Sequence, residues 1–192
     1  MGPPLPVNAR ASGCGTVLRV SRGVLYVIAC AAPPAREVGT LVTAAQHEGW
    51  TVCLLVTPSA VRFLDPATLG ALTGYPVRSD YKNPGDPDVL PDPDAVVVAP
   101  ATVNTINKWS AGICDTLALG ILVEAIGKRL PVVAVPWSSP EHAAHPAVAE
   151  SLARLTSWGV RVLGEPGAGG PFPWQQALAA LNAAAGERGS PQ

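Results

Sequence analysis

The sequence predicts an α/β protein, a doubly wound parallel sheet in three α-β-α layers. Three observations predict it. Short apolar runs rich in valine, such as residues 95–99, suit strands buried on both faces. These runs alternate with segments of helical length through short connections, which implies right-handed crossovers and parallel pairing. A cluster of small polar residues, Thr102, Asn104, Thr105 and Asn107, follows the central run. It lies at the carboxyl end of a strand, where open α/β sheets bind their ligands.

Taken in order, residues 1–22 are rich in Pro, Gly and small side chains and are expected to form a flexible tail. Residues 23–185 form a single domain, and 186–192 a C-terminal tail. The first strand is 24–30. Pro33 suits the first turn of a helix. Residues 36–48 read as an amphipathic helix with Val38, Leu41, Val42 and Ala45 on one face, stopped by Gly49. The second strand is 51–56, followed by a loop and helix start at 57–63 and a short helix at 66–73. Residues 75–94 are dense in Pro, Asp and Gly, and read as an irregular loop reaching across the surface or onto a neighbouring subunit. Pro100 ends the third strand. Asp115-Thr116 opens a helix to Ile126, with Gly127 closing it and Lys128 and Arg129 at its carboxyl end. Strand 132–135, helix 147–158, strand 159–163, a Gly/Pro-rich loop at 164–173 and helix 174–185 complete the pattern. There is no internal repeat.

The 192 residues are 48% hydrophobic and 14% charged, with a net charge of -1. The core is ample, and the absence of a basic stripe argues against a nucleic-acid partner. Residues 1–22 hold no apolar signal core, and the apolar stretch 24–32 is too short to span a bilayer. A membrane role is not expected, and the cytoplasm is the default location. Among Cys14, Cys30, Cys53 and Cys114 no two have C-x-x-C spacing, so no metal site is expected. Cys30 and Cys53 read as small core residues. The low charge and high apolar content favour an oligomer.

Hydroxyls, an amide and free backbone N–H groups at Thr102 to Thr105 suit a phosphate or a polar ring edge. The same residues also suit an ordinary β-α loop with helix-capping side chains. Residues 100–108 (P-A-T-V-N-T-I-N-K) and 111–117 (A-G-I-C-D-T-L) resemble the P-A-S-A-N-T-I-x-K-x-A-x-G-I-x-D-N-L signature of the homo-oligomeric flavin-containing cysteine decarboxylases. That family includes phosphopantothenoylcysteine decarboxylase and the lantibiotic peptidyl-cysteine decarboxylases. The resemblance covers about residues 23–163. It implies a Rossmann-like, flavodoxin-like fold. It also implies FMN as cofactor, with FAD as the alternative, and a trimer-based assembly with flavin between subunits. Cofactor contacts are then expected from Ala31, Ala32 and Pro33, from Thr57, Ser59 and Phe63, from Thr102, Val103, Asn104 and Thr105, and from Trp137. The family's Gly-Ser phosphate loop is Ala31-Ala32 here. That leaves backbone N–H groups for phosphate, and Pro33 removes one of them. Phe63 also reads as core packing.

The resemblance weakens at the residues that carry the chemistry. The family's basic histidine precedes the central strand, and the matching position here is near Asp86, which also reads as a solvated loop aspartate. No histidine lies between Glu48 and Glu141. The substrate clamp P-x-M-N-x-x-M-W is replaced by P-W-S-S-P-E-H at 136–142. Ser139 stands where the clamp's Asn holds the substrate carboxylate, and His142 stands where its second Met faces flavin and substrate. The following H-P-A-V is kept at 145–148, and the late loop 164–170 has no cysteine. The expected function is therefore a flavin-binding protein with a diverged substrate site. The alternatives are an active flavin-dependent lyase that decarboxylates a cysteine-containing substrate, and a cofactor-free scaffold or regulatory subunit. Flavin oxidoreductase chemistry also stays open. Ser139 and His142 are the candidate substrate contacts. His142 is also the candidate acid/base, because imidazole exchanges protons near neutrality; it equally reads as an exposed loop histidine. His47 falls on a helix surface, and His145 caps or orients the helix that follows it.

Overall fold

A computed structural model describes residues 21–167 and 170–188. Five parallel strands form one sheet in the order β2-β1-β3-β4-β5: β1 (Gly23–Ala29), β2 (Trp50–Val56), β3 (Ala95–Ala101), β4 (Val132–Pro136) and β5 (Arg161–Val162). The direction of winding reverses between β1 and β3, so the crevice of this doubly wound sheet opens above their carboxyl ends.

Alternation along each strand sends side chains into two cores. Leu25, Val27, Ala29, Leu54 and Val97 face one side with Val38, Leu41 and Val42 of α1 (Val38–His47) and Leu178 and Leu181 of a C-terminal helix. Tyr26, Ile28, Cys30, Cys53, Val96 and Val98 face the other side. There they meet Ile106 and Trp109 of α3 (Val103–Ser110), Leu119 and Leu122 of α4 (Leu117–Gly127) and Leu155 of α6 (Pro146–Ser157). Strands buried on both faces need continuous apolar runs, which is why the valine-rich pattern reads so clearly. The remaining helices are α2 (Pro66–Thr73), the single turn α5 (Pro140–Ala143) and α7 (Trp174–Arg188).

Several boundaries differ from expectation. β3 continues through Pro100 to Ala101, because Pro100 sits at a register irregularity against β4 where no ladder donor is required. The peptide bond before it is cis. The polar stretch after β3 is helical rather than a loop, since α3 begins at Val103. Its inner face carries Ile106 and Trp109, and the Trp109 indole donates to Leu122 O at 3.1 Å. The cap of α4 is Thr116, whose hydroxyl accepts from Leu119 N; Asp115 instead pairs with Lys108. Helix 36–48 divides into a 3-10 segment at Pro33–Glu37 and α1.

Residues 75–94 cross the chain's own sheet. Arg78 forms a parallel bridge with Leu55, covering the open edge of β2. Tyr26 Oη donates to Pro91 O at 2.8 Å, and Tyr81 Oη donates to Cys114 O at 3.1 Å. The expected 1–22 tail lies outside the described residues except for Ser21 and Arg22. Arg22 is tied to the body through Gly49 O and Glu48 O. The final helix runs past Ala185 to Arg188, and 189–192 lie outside the described residues, as does Cys14. Among the described residues no helix is long and apolar enough to cross a membrane.

Candidate functional site

The loops that leave β2, β1, β3 and β4 at their carboxyl ends surround one cavity of about 1060 Å³. Ala31, Ala32, Pro33, Thr57, Ser59, Thr102, Val103, Asn104, Thr105, Trp137, Ser139 and His142 all line it. Twelve of the fourteen residues singled out from the sequence thus meet at one place. The other two do not. Phe63 is partly buried against the core, with Arg36 stacked over its ring at 5.7 Å. Asp86 is exposed in the 75–94 segment, where its carboxylate accepts from Asn83 N at 3.0 Å and closes a local turn.

The donors around this cavity are unevenly placed. The first loop offers few. Ala32 N–H turns back to Cys30 O at 2.8 Å, Ala35 N–H goes to Ala32 O, and Pro33 and Pro34 have none. The other loops offer more. Thr57 and Thr102 each precede a helical turn without using the side chain as a cap. The first-turn amides of α3 therefore keep no intrahelical acceptor, and the positive end of its dipole faces the cavity. By contrast, α2 and α6 start away from the cavity and are capped by Asp65 and His145. Among the described residues, the Thr57 and Ser59 hydroxyls and the Asn104 amide have no hydrogen-bond partner inside the protein. This set of neutral donors and acceptors fits a ligand with a polar ring edge and an anionic tail.

Lys108 and His142 are the titratable residues on the wall among those described, and no carboxylate lines it. Lys108 Nζ is held 2.5 Å from Asp115 Oδ2 at the rim. Lys108 ends the 100–108 motif and is a wall residue that the motif alone does not mark as one. Thr116, Leu119, Pro58 and Ser138 also belong to the wall. The signal available for Lys108 was its spacing of four from Asn104, one helical turn, once the stretch is read as helix. His142 is exposed, on a helical turn capped by Ser139 Oγ, whereas His145 Nδ1 is spent accepting from Ala147 N at 3.2 Å. Trp137 is braced from behind by Phe172, with ring centroids 5.6 Å apart, and Phe172 by Trp174 at 4.3 Å.

A second cavity, of about 430 Å³, lies under the 75–94 segment beside α4. It shares no lining residue with the larger cavity, and its Lys82 and Lys128 are already paired with Asp88 and Glu124. The larger cavity is therefore the candidate site. No group of His, Cys, Asp and Glu among the described residues could hold a metal ion.

Comparison with known proteins matches the Flavoprotein family over residues 22–186. The chain is 36% identical over 157 residues to the coenzyme A biosynthesis bifunctional protein CoaBC of Mycobacterium tuberculosis (strain ATCC 25618 / H37Rv), covering 80% of this chain and 34% of that protein. It thus spans about a third of the length of that relative. Among solved structures, an FMN-dependent cysteine decarboxylase, TvaF from thioviridamide biosynthesis, superimposes with a TM-score of 0.72 at 25% identity, covering 85% of this chain and 98% of that one. The cypemycin decarboxylase CypD superimposes with a TM-score of 0.70 at 26% identity, covering 87% and 96%.

Proposed function

The chain belongs to the Flavoprotein family, and from that membership we propose that it binds FMN in the cavity at the carboxyl ends of β1, β2, β3 and β4. The observation that carries the reading is the convergence there of two helical starts left uncapped by Thr57 and Thr102, with uncommitted side chains at Ser59 and Asn104. Thr102, Val103, Asn104 and Thr105 would hold the ring edge and ribityl chain, and Trp137 would close the pocket. Phosphate contacts would come from the Thr57–Ser59 turn more than from Ala31 and Ala32, whose neighbourhood has little left to donate. When bound, the flavin supplies a two-electron acceptor. FMN is favoured over FAD by the named cofactor of the matched structure.

The substrate site is read as diverged from that of the cysteine decarboxylases. Ser139 and His142 replace an amide and a thioether, and His142 is the candidate acid/base on the substrate side. A cavity of about 1060 Å³ slightly exceeds the roughly 300–1,000 Å³ usual for ligand sites, and leaves room for a substrate beside the cofactor. Assembly as a homo-oligomer in the cytoplasm completes the reading. Tyr81 and Val89 of the crossing segment and Ile113 are large apolar side chains left exposed. Light scattering at a multiple of the chain mass tests the assembly.

The purified protein should be yellow, or should take up FMN stoichiometrically in an absorbance titration. A colourless protein that binds neither FMN nor FAD would overturn the reading. The second reading, an active decarboxylase, is favoured by His142 on the cavity wall and by the activities named for the matched structures. Incubation with a peptide ending in cysteine, followed by mass spectrometry, separates the two: loss of carbon dioxide establishes the decarboxylase.

A further inference from the structure

Cys30 follows β1 directly beneath the cavity floor. It is fully buried, and its Sγ donates to Thr105 Oγ1 at 3.2 Å. Thr105 is buried as well, and its Oγ1 lies 3.3 Å from Thr102 Oγ1. Thr102 is half-buried on the cavity wall. Three groups, each with one proton, therefore run in line from the core to the cavity.

The order of those protons follows from what each group can still accept. Burial pushes the Cys30 thiol up, so it stays S–H, and the Thr102 backbone N–H and hydroxyl both approach its sulfur. Thr105 Oγ1 takes the thiol proton and has Thr102 Oγ1 as its remaining neighbour. The Thr102 hydroxyl then accepts from Thr105. It makes no cap to its own helix, and its proton has two directions, the Cys30 sulfur that the Thr102 N–H already faces and the cavity. We propose that Cys30 is a positioning residue that sets the direction of the Thr105–Thr102 pair, so that Thr102 meets the bound flavin as a hydrogen-bond donor. The flavin atom it meets is then an acceptor, a ring carbonyl or ring nitrogen. This inference rests on the flavin reading above.

The test is a fluorescence titration of the full chain with FMN, together with the position of the flavin's visible absorption band. C30A should weaken FMN binding about three- to tenfold, the worth of one neutral hydrogen bond, and should move the band. C30S keeps a donor and should restore both. T102V should show a similar loss, and C30A added to T102V should cost nothing more, because the thiol acts only through Thr102. If C30A fails to fold, T105V breaks the same line at its middle and must show the same non-additivity with T102V. The proposal is overturned if C30A binds FMN as the wild type does. It is overturned equally if C30S is as weak as C30A, or if C30A costs the same factor with and without the Thr102 hydroxyl. A wild-type chain that takes up no flavin defeats the flavin reading first, and this proposal with it.

Discussion

At the scale of single residues, Asn104 and Tyr26 make contrasting predictions. Asn104 is exposed on the cavity wall, with its side-chain amide unused by the protein. N104A should leave thermal stability unchanged within about 0.5 kcal/mol, as surface changes do, and weaken FMN about tenfold in an absorbance titration. Tyr26 is built into the structure. Its phenol is pushed up to about 12 by burial first, then by Cys53, Asp92, Asp88 and Glu124, and its hydroxyl is held by Pro91 O. In the unfolded chain the same phenol ionises near 10.0. Between those values the unfolded state loses a proton that the folded state keeps, so stability falls as pH rises. Denaturant midpoints measured from pH 9 upward should drop along this limb. Y26F should flatten it between about 10 and 12 and leave the contribution of Cys53, whose thiol is pushed up to about 11 by burial.

At the scale of elements, the caps and the crossing segment carry the testable content. α6 begins with His145 accepting from Ala147 N, and Pro146 presets the first turn. H145A should cost about 1 kcal/mol in denaturant unfolding, and H145D should recover most of it, since a carboxylate caps the same amide and suits the helix dipole. The 75–94 segment is seated on α4 at Gly120, where an added Cβ would meet Tyr81 Oη. G120A gains helix propensity of about 0.5–1 kcal/mol and loses the Tyr81–Cys114 hydrogen bond, worth a similar amount. Global stability should barely change, while amide hydrogen exchange across residues 79–92 should accelerate. A G120A protein with unchanged exchange there would show that Tyr81 does not seat the segment.

At the scale of the whole molecule, the flavin reading makes a thermodynamic prediction. A ligand held only by the folded state at 100 times its Kd adds about 2.7 kcal/mol. For a chain of this size that raises Tm by about 5–10 °C. Thermal scans with and without FMN should show that rise, and N104A should show less of it at the same FMN concentration. The cavity spans loops from four strands, so bound flavin should protect the whole parallel sheet rather than one segment of it.

Much of this molecule is local information. The valine-rich runs are strands because a doubly covered parallel sheet leaves no polar position within them, and 66–73 matches its helix residue for residue. The loops at Ala31, Thr57, Thr102 and Trp137 were legible as one site because strand order and crossover hand force their carboxyl ends together. What the chain did not disclose locally depends on side-chain direction and on what packs behind it. Residues 103–110 carry polar letters, yet Ile106 and Trp109 find a core there, so the stretch winds into helix and brings Lys108 to the wall. Asp86, placed by counting, falls in a segment whose path is decided by Arg78 on β2 and Tyr81 on α4. The donors lost at Ala32 and Ala35, and the line from Cys30 through Thr105 to Thr102, join groups that only closure of the fold brings within hydrogen-bond reach. Periodicity and turn chemistry determine the elements; the contacts between elements determine which of their atoms remain free to meet a ligand.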